Sequence, residues 1–130
     1  MRSILALALL PALSAGQGSA ACHNDVVKRI DAPGGERSAV LFQRSCGATT
    51  DLSTQVSVVS VGEDAVEAGN AFRADTDHGL AVPAPWGGPW AEAVWLSPRR
   101  LRIRHDESAR IFAAEPEVAN LTIEYEPVAR

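Results

Sequence analysis

Three short stretches of the chain carry residue types able to do chemistry. In Ala74-Asp75-Thr76-Asp77-His78-Gly79, two carboxylates and an imidazole fall within four residues, and Gly79 permits a tight turn. Alternating oxygen donors of this kind open calcium loops, although the later carboxylates of such loops are missing here. A zinc site would need further His or Cys ligands brought in by the fold, for example from His105-Asp106. Asp75, Asp77 and His78 are therefore the candidate metal ligands, set against the plainer reading of a polar hairpin turn.

The second stretch is Arg44-Ser45-Cys46-Gly47-Ala48-Thr49-Thr50. Cys46 with His23, His78 or His105 and an aspartate would make a Cys-His hydrolase. A catalytic thiol needs a depressed pKa, from a helix N-terminus or a nearby cation, and Arg44 is the only local cation. The simpler use of Cys46 is a disulfide to Cys22, closing a loop of about 25 residues that the chain-entropy account makes worth about 3 kcal/mol. Lipidation of Cys22 is the alternative, since it follows Ser19-Ala20-Ala21. Lipoprotein signals usually carry Leu or a similar residue where this chain has Ser19. Thr49 and Thr50 are candidate ligand contacts, although loop hydroxyls also cap backbone N–H groups.

The third stretch, Val82 to Trp90, holds three prolines, two glycines and two tryptophans. Trp86 and Trp90 either stack on a glycan or anchor a partner protein, or they fold back to lid the core; Trp95 reads as core.

These residues must be positioned by a small chain. Met1-Arg2, an apolar run over 4–15 broken by Pro11, and the small residues that follow have the layout of a secretory signal peptide over residues 1–21. The run is too short to span a bilayer, which takes about 20 apolar residues. Residues 22–130 then form one exported domain, periplasmic or secreted, or lipid-anchored through Cys22. With Arg2 removed, 11 Lys and Arg face 16 Asp and Glu, a net charge of −5 that argues against nucleic acid as a partner. No further segment is apolar enough over the length needed for a transmembrane span.

Period-2 alternation recurs at 25–30, 37–44, 54–61, 70–74, 91–96, 101–105, 109–113 and 119–126, with turn residues between. The only helical-looking piece, 63–71, is stopped by Gly69-Asn70. The pattern predicts an all-β domain, a small antiparallel sandwich or barrel of about eight short strands. Valines on both faces of 56–61 mark a central strand covered on two sides. Arg100, Arg102 and Arg104 share one face of their strand; Thr122, Glu124 and Glu126 share one face of theirs. If the two strands are neighbours, the arginines and glutamates pair, each pair contributing about 0.2–1 kcal/mol, and the arginine stripe neutralises itself.

Ser38 to Thr50, Ser53 to Val59, Gly69-Asn70-Ala71-Phe72 and the late strands resemble a family of small exported or membrane-anchored bacterial proteins of unassigned function. Cys46-Gly47-Ala48-Thr49-Thr50 is the most specific element; Ala32-Pro33-Gly34-Gly35-Glu36 and Asp51-Leu52 depart from the pattern. The resemblance implies a fold and an export route and carries over no catalytic residue. The combined expectation is a non-enzymatic binding or interaction module of the cell envelope, with an envelope protein or glycan as partner and no cofactor. An envelope enzyme or metal-binding protein using the Thr-rich loop and the Asp75-Asp77-His78 turn is the alternative.

Overall fold

Every alternating segment becomes a strand. In the computed structural model, which describes residues 22–47 and 51–130, nine strands follow one another: β1 (His23–Asp31), β2 (Arg37–Ser45), β3 (Ser53–Ser60), β4 (Phe72–Asp75), β5 (Ala91–Ser97), β6 (Arg100–Asp106), β7 (Arg110–Ala114), β8 (Glu117–Val118) and β9 (Leu121–Val128). The leader, Thr49 and Thr50 lie outside the described residues. β8 is the strand that alternation does not announce. It pairs with β9 through a two-residue hairpin whose Ala119 (φ 51°) and Asn120 (φ 67°) are both left-handed, the geometry of a type I′ turn.

The strands form two sheets, ordered β1-β2-β3-β4-β7 and β5-β6-β9-β8. The expected all-β sandwich is what forms; its strand pairs are antiparallel except β6 with β9, which run parallel. The cause is the path of the chain: β7 leaves β6 for the opposite sheet, and the returning β9 enters beside β6 in the same direction. Parallel register sets Arg102 against Glu124 and Arg104 against Glu126. The arginine stripe is thereby neutralised: Arg100 pairs with Glu124, and Arg104 bonds both Glu126 (3.0 Å) and Glu92 (2.8 Å).

Between the sheets lie Leu41, Val56, Val58, Phe72, Leu101, Ile103, Leu121 and Ile123. Two aromatic side chains close the seams with their polar ends. Trp95 Nε1 donates to Ile30 O (2.8 Å), joining β5 to β1. The half-buried Tyr125 hydroxyl, whose pKa desolvation pushes up, reaches Ala71 O (2.9 Å) and Glu115 O (2.8 Å).

Segment 61–70 forms no helix. It crosses the outer face of the five-stranded sheet, where Gly69 N donates to Gln55 Oε1 (2.6 Å), Asn70 N to Ser57 Oγ (3.2 Å), and Asn24 Nδ2 to Ala65 O (2.9 Å). Gln55 and Ser57 are the register partners of Phe42 and Val40, so both apolar side chains are buried under this crossing. β3 is therefore covered on both sides, as its valines predict. Gly69 must be glycine: a Cβ there would lie 2.7 Å from Phe72 O and 2.8 Å from Val56 O.

Cys22 and Cys46 form a disulfide. They flank the β1–β2 ladder one step beyond the His23↔Ser45 pair, which is why their sulfurs meet. Among the described residues no helix is long and apolar enough to cross a membrane.

Candidate functional site

The outer face of the five-stranded sheet carries a concave site beside the disulfide. Register builds it. Arg44 lies opposite Ser53, Ser53 opposite Asp75, and Asp75 opposite Arg110, so one row of side chains crosses β2, β3, β4 and β7. A second row follows two residues further along three of these strands, with Gln55 opposite Arg73 and then Phe112. The β4–β7 ladder slips at Arg73–Ala74, leaving Phe112 unmatched; such a bulge re-aims a side chain. These residues, with Cys46, Asp51 and His78, line a cavity of about 430 Å³. Ligand pockets run from about 300 to 1,000 Å³.

Asp75 is the buried acid of the site. Its carboxylate accepts from Arg110 Nε (3.0 Å) and Nη2 (2.7 Å) and from Asp77 N (2.9 Å). The Arg110 guanidinium holds its pKa below the ordinary carboxylate range against the opposing effect of burial. Asp51 and Asp77 lie 3.7 and 3.6 Å from the same guanidinium, whose pKa is raised by Asp75, and Phe112 lies 5.1 Å from it. Arg44 Nη1 donates to Asn24 Oδ1 (2.7 Å) and, at 3.5 Å, to Val66 O. Arg73 Nη1 donates to Gly69 O (2.9 Å). Among the described residues neither Arg44 nor Arg73 has a carboxylate partner.

The acidic turn, the candidate metal site, has an arginine among its carboxylates. Asp75 and Asp77 lie against the Arg110 guanidinium, and His78 Nδ1 lies 3.3 Å from Asp51 Oδ2. Among the described residues no group of three or more His, Cys, Asp or Glu side chains is placed to hold a metal ion. His105 belongs to the other sheet and stacks on Phe72 (5.4 Å). The turn is nonetheless unusual, with Asp77 (φ 54°), His78 (φ 58°) and Gly79 (φ 94°) left-handed in succession. Cys46 has the simpler use expected of it: its sulfur is bonded to Cys22, which leaves no thiol for the nucleophile reading. That bond also occupies the sulfur on which lipidation of Cys22 would depend.

Trp86 folds back as a partial lid. Its Nε1 donates to Thr54 Oγ1 (2.8 Å), which donates in turn to Pro89 O (2.6 Å). The Arg130 and Arg104 guanidiniums lie over the Trp90 ring, at 4.1 and 5.8 Å from its centre. One side of Trp86 still faces a groove of about 390 Å³ shared with Val26, Val27, Asp25 and Gln43. Gln43 Oε1 is buried without a hydrogen-bond partner among the described residues.

Arg73, Arg110, Gln55 and Phe112 escape sequence inspection. Their one signal is the pairing at i and i+2 on each strand: Ser53 with Gln55, Arg73 with Asp75, Arg110 with Phe112. Comparison with known proteins finds no matching family model, no matching curated protein and no matching solved structure.

Proposed function

We propose that residues 22–130 form an exported, non-enzymatic binding domain of the bacterial cell envelope, with its ligand in the cavity beside the disulfide. The observation that carries this reading is the pair of guanidiniums, Arg44 and Arg73, lining a concave site without carboxylate partners among the described residues. A charged side chain held at the wall of a cavity is a recognition element.

Binding is favoured over catalysis by the state of the reactive groups. Asp75 is locked as an anion against Arg110, whereas a general acid or base must exchange protons near the working pH. Ser53 Oγ donates to Arg44 O (3.0 Å) and accepts from Gln55 Nε2 (2.9 Å), so its hydroxyl is engaged by the scaffold. Export is supported by the leader pattern, the disulfide and the resemblance to small exported proteins.

A second reading places a glycan or partner protein in the groove under Trp86, where Gln43 Oε1, unpaired among the described residues, would accept a donor. Nitrogen-15 NMR of the oxidised mature protein, titrated with a soluble envelope extract of its own cells, separates the two. Shifts concentrated at Arg44, Ser53, Gln55, Arg73 and Phe112 are expected. Shifts confined to Gln43, Val26 and Trp86 would move the site to the groove, and no specific shift in either place would remove the binding reading.

A further inference from the structure

The charges around the cavity point to one ligand chemistry. Three guanidiniums (Arg44, Arg73, Arg110) line the cavity with two carboxylates (Asp51, Asp75), and a third carboxylate, Asp77, stands 3.6 Å from Arg110, so the formal Arg and Asp charges balance in number but not in place. Arg110 is already engaged by Asp75 through two hydrogen bonds. Asp51, Asp75 and Asp77 all lie on Arg110, so among the described residues the guanidiniums without a carboxylate partner are Arg44 and Arg73. Each is anchored through Nη1, to Asn24 and Val66 or to Gly69, which limits the side-chain entropy that a ligand would have to remove. Because the described anchors use only one nitrogen of each fork, the remaining N–H groups are the donors that a planar anion would meet.

We propose that the cavity recognises an organic monocarboxylate, held by Arg44 and Arg73, whose apolar remainder lies on Phe112. This rests on placing the ligand in the cavity, and adds its chemical class. A single carboxylate can be shared by the two guanidiniums that have no carboxylate partner among the described residues. A phosphate dianion would bring a second negative charge beside Asp51 and Asp75. The volume of about 430 Å³ is more than a bare carboxylate fills. Beside the arginines, Phe112 stands 58% exposed, with Arg110 fixed near its ring at 5.1 Å. An exposed phenyl ring in the same cavity as guanidiniums that lack a carboxylate partner among the described residues fits a ligand with an apolar group close to its acid. Gln55 spends Oε1 on Gly69 N and Nε2 on Ser53 Oγ, so these bonds leave the guanidiniums as the principal recognition elements.

Two sources offer this chemistry, a peptide C-terminus and a short fatty acid, and the test has an arm for each. The oxidised mature protein is titrated, by calorimetry and NMR, with N-acetyl-Ala-Phe and with hexanoate. Their carboxamides and inorganic phosphate serve as controls. Shifts at Arg44, Arg73 and Phe112 are expected from at least one carboxylate, and the tighter arm identifies the source. Its amide binds at least about tenfold more weakly, the loss expected when a charge-assisted hydrogen bond is removed. Arg73→Gln and Arg44→Gln each weaken the carboxylate by about tenfold, and Arg73→Lys by less, because charge survives while the fork is lost. Retained NMR dispersion in Arg73→Lys keeps a folding defect from being mistaken for lost binding. Equal binding of acid and amide, or phosphate binding tighter than both acids, overturns the proposal. Neither carboxylate shifting the cavity, while envelope extract does, removes the ligand class and leaves the site standing. If both extract and probes shift only the Trp86 groove, the site itself is wrong.

Discussion

Replacing Thr54 by valine tests the reasoning that links the tryptophan loop to the sheet. Thr54 is fully buried on β3, and its hydroxyl makes two bonds: it accepts from Trp86 Nε1 at 2.8 Å and donates to Pro89 O at 2.6 Å. Valine keeps the shape and removes both. Pro89 is also fully buried, so its carbonyl would lose its partner away from water, a cost of about 1–3 kcal/mol. Trp86 is only half-buried, and its N–H recovers part of its loss by hydration. The added methyl returns about 0.8 kcal/mol of burial. The net expectation is a loss of about 2 kcal/mol. Rearrangement offers little relief, since Gly88 approaches so closely that a Cβ there would lie 2.5 Å from Thr54 Oγ1. Urea denaturation of the oxidised protein measures the loss. A double-mutant cycle with Trp86→Phe isolates the indole bond, with a coupling of about 1 kcal/mol expected. A Thr54→Val protein within about 0.5 kcal/mol of the parent, with an unchanged tryptophan emission maximum, would refute the latch.

The remaining predictions concern other parts of the frame. Asp75→Asn flattens the acid limb of the stability curve. The folded-state pKa of Asp75 lies below its unfolded value, so its contribution is complete above the unfolded pKa and lost as pH falls through the folded one; urea midpoints between pH 6 and pH 3 would show a smaller decline in the variant. Ala119→Gly raises stability, because alanine at φ 51° bears a left-handed penalty of about 1 kcal/mol that glycine lacks, less some unfolded-state entropy; thermal unfolding checks the sign. Protein isolated from its own cell envelope starts at Ala21 or Cys22 by intact mass and accepts two alkylating groups only after reduction.

The frame was legible in the sequence where a single strand carries its own evidence. Leu101 and Ile103 alternate with arginines, Leu121 and Ile123 with Thr122 and Glu124, and the ladder of Arg102 against Glu124 follows from adjacency alone. Direction was not legible, because an alternating pattern reads the same in a parallel and an antiparallel neighbour. β8 was hidden because two residues are too few to show a period, and its turn uses Ala119 where glycine would have signalled it. The candidate cavity stayed invisible for a different reason. Its residues come from four strands, and Asp75 finds Arg110 at a separation of 35 positions. Without strand order, Asp75, Asp77 and His78 look like ligands awaiting a cation. With it, the cation is a guanidinium already in place.

Gly69 ties the crossing segment to this cavity, and its replacement by alanine would disturb both together. The residue sits where segment 61–70 comes down on β3 and β4. Its N–H is taken by Gln55 Oε1 (2.6 Å) and its carbonyl by Arg73 Nη1 (2.9 Å). A Cβ at this position meets two backbone oxygens, at 2.7 and 2.8 Å, which cannot swing aside as a side chain can. The segment must lift, at about 3 kcal/mol for overpacking of this kind. Lifting it uncovers Val40 and Phe42 and frees the Gln55 and Arg73 side chains from their anchors. Amide exchange should therefore quicken along 62–70 and β3 in Gly69→Ala, while the disulfide-linked ends of β1 and β2 stay protected. The arginine fork should lose its order in the same variant, seen as averaged Arg73 Nε resonances. If exchange quickens uniformly, the crossing is an ordinary part of the global fold. If it quickens only along 62–70 and Arg73 Nε is unchanged, the cavity wall does not depend on Gly69, and the anchoring of Arg73 through its carbonyl is incidental.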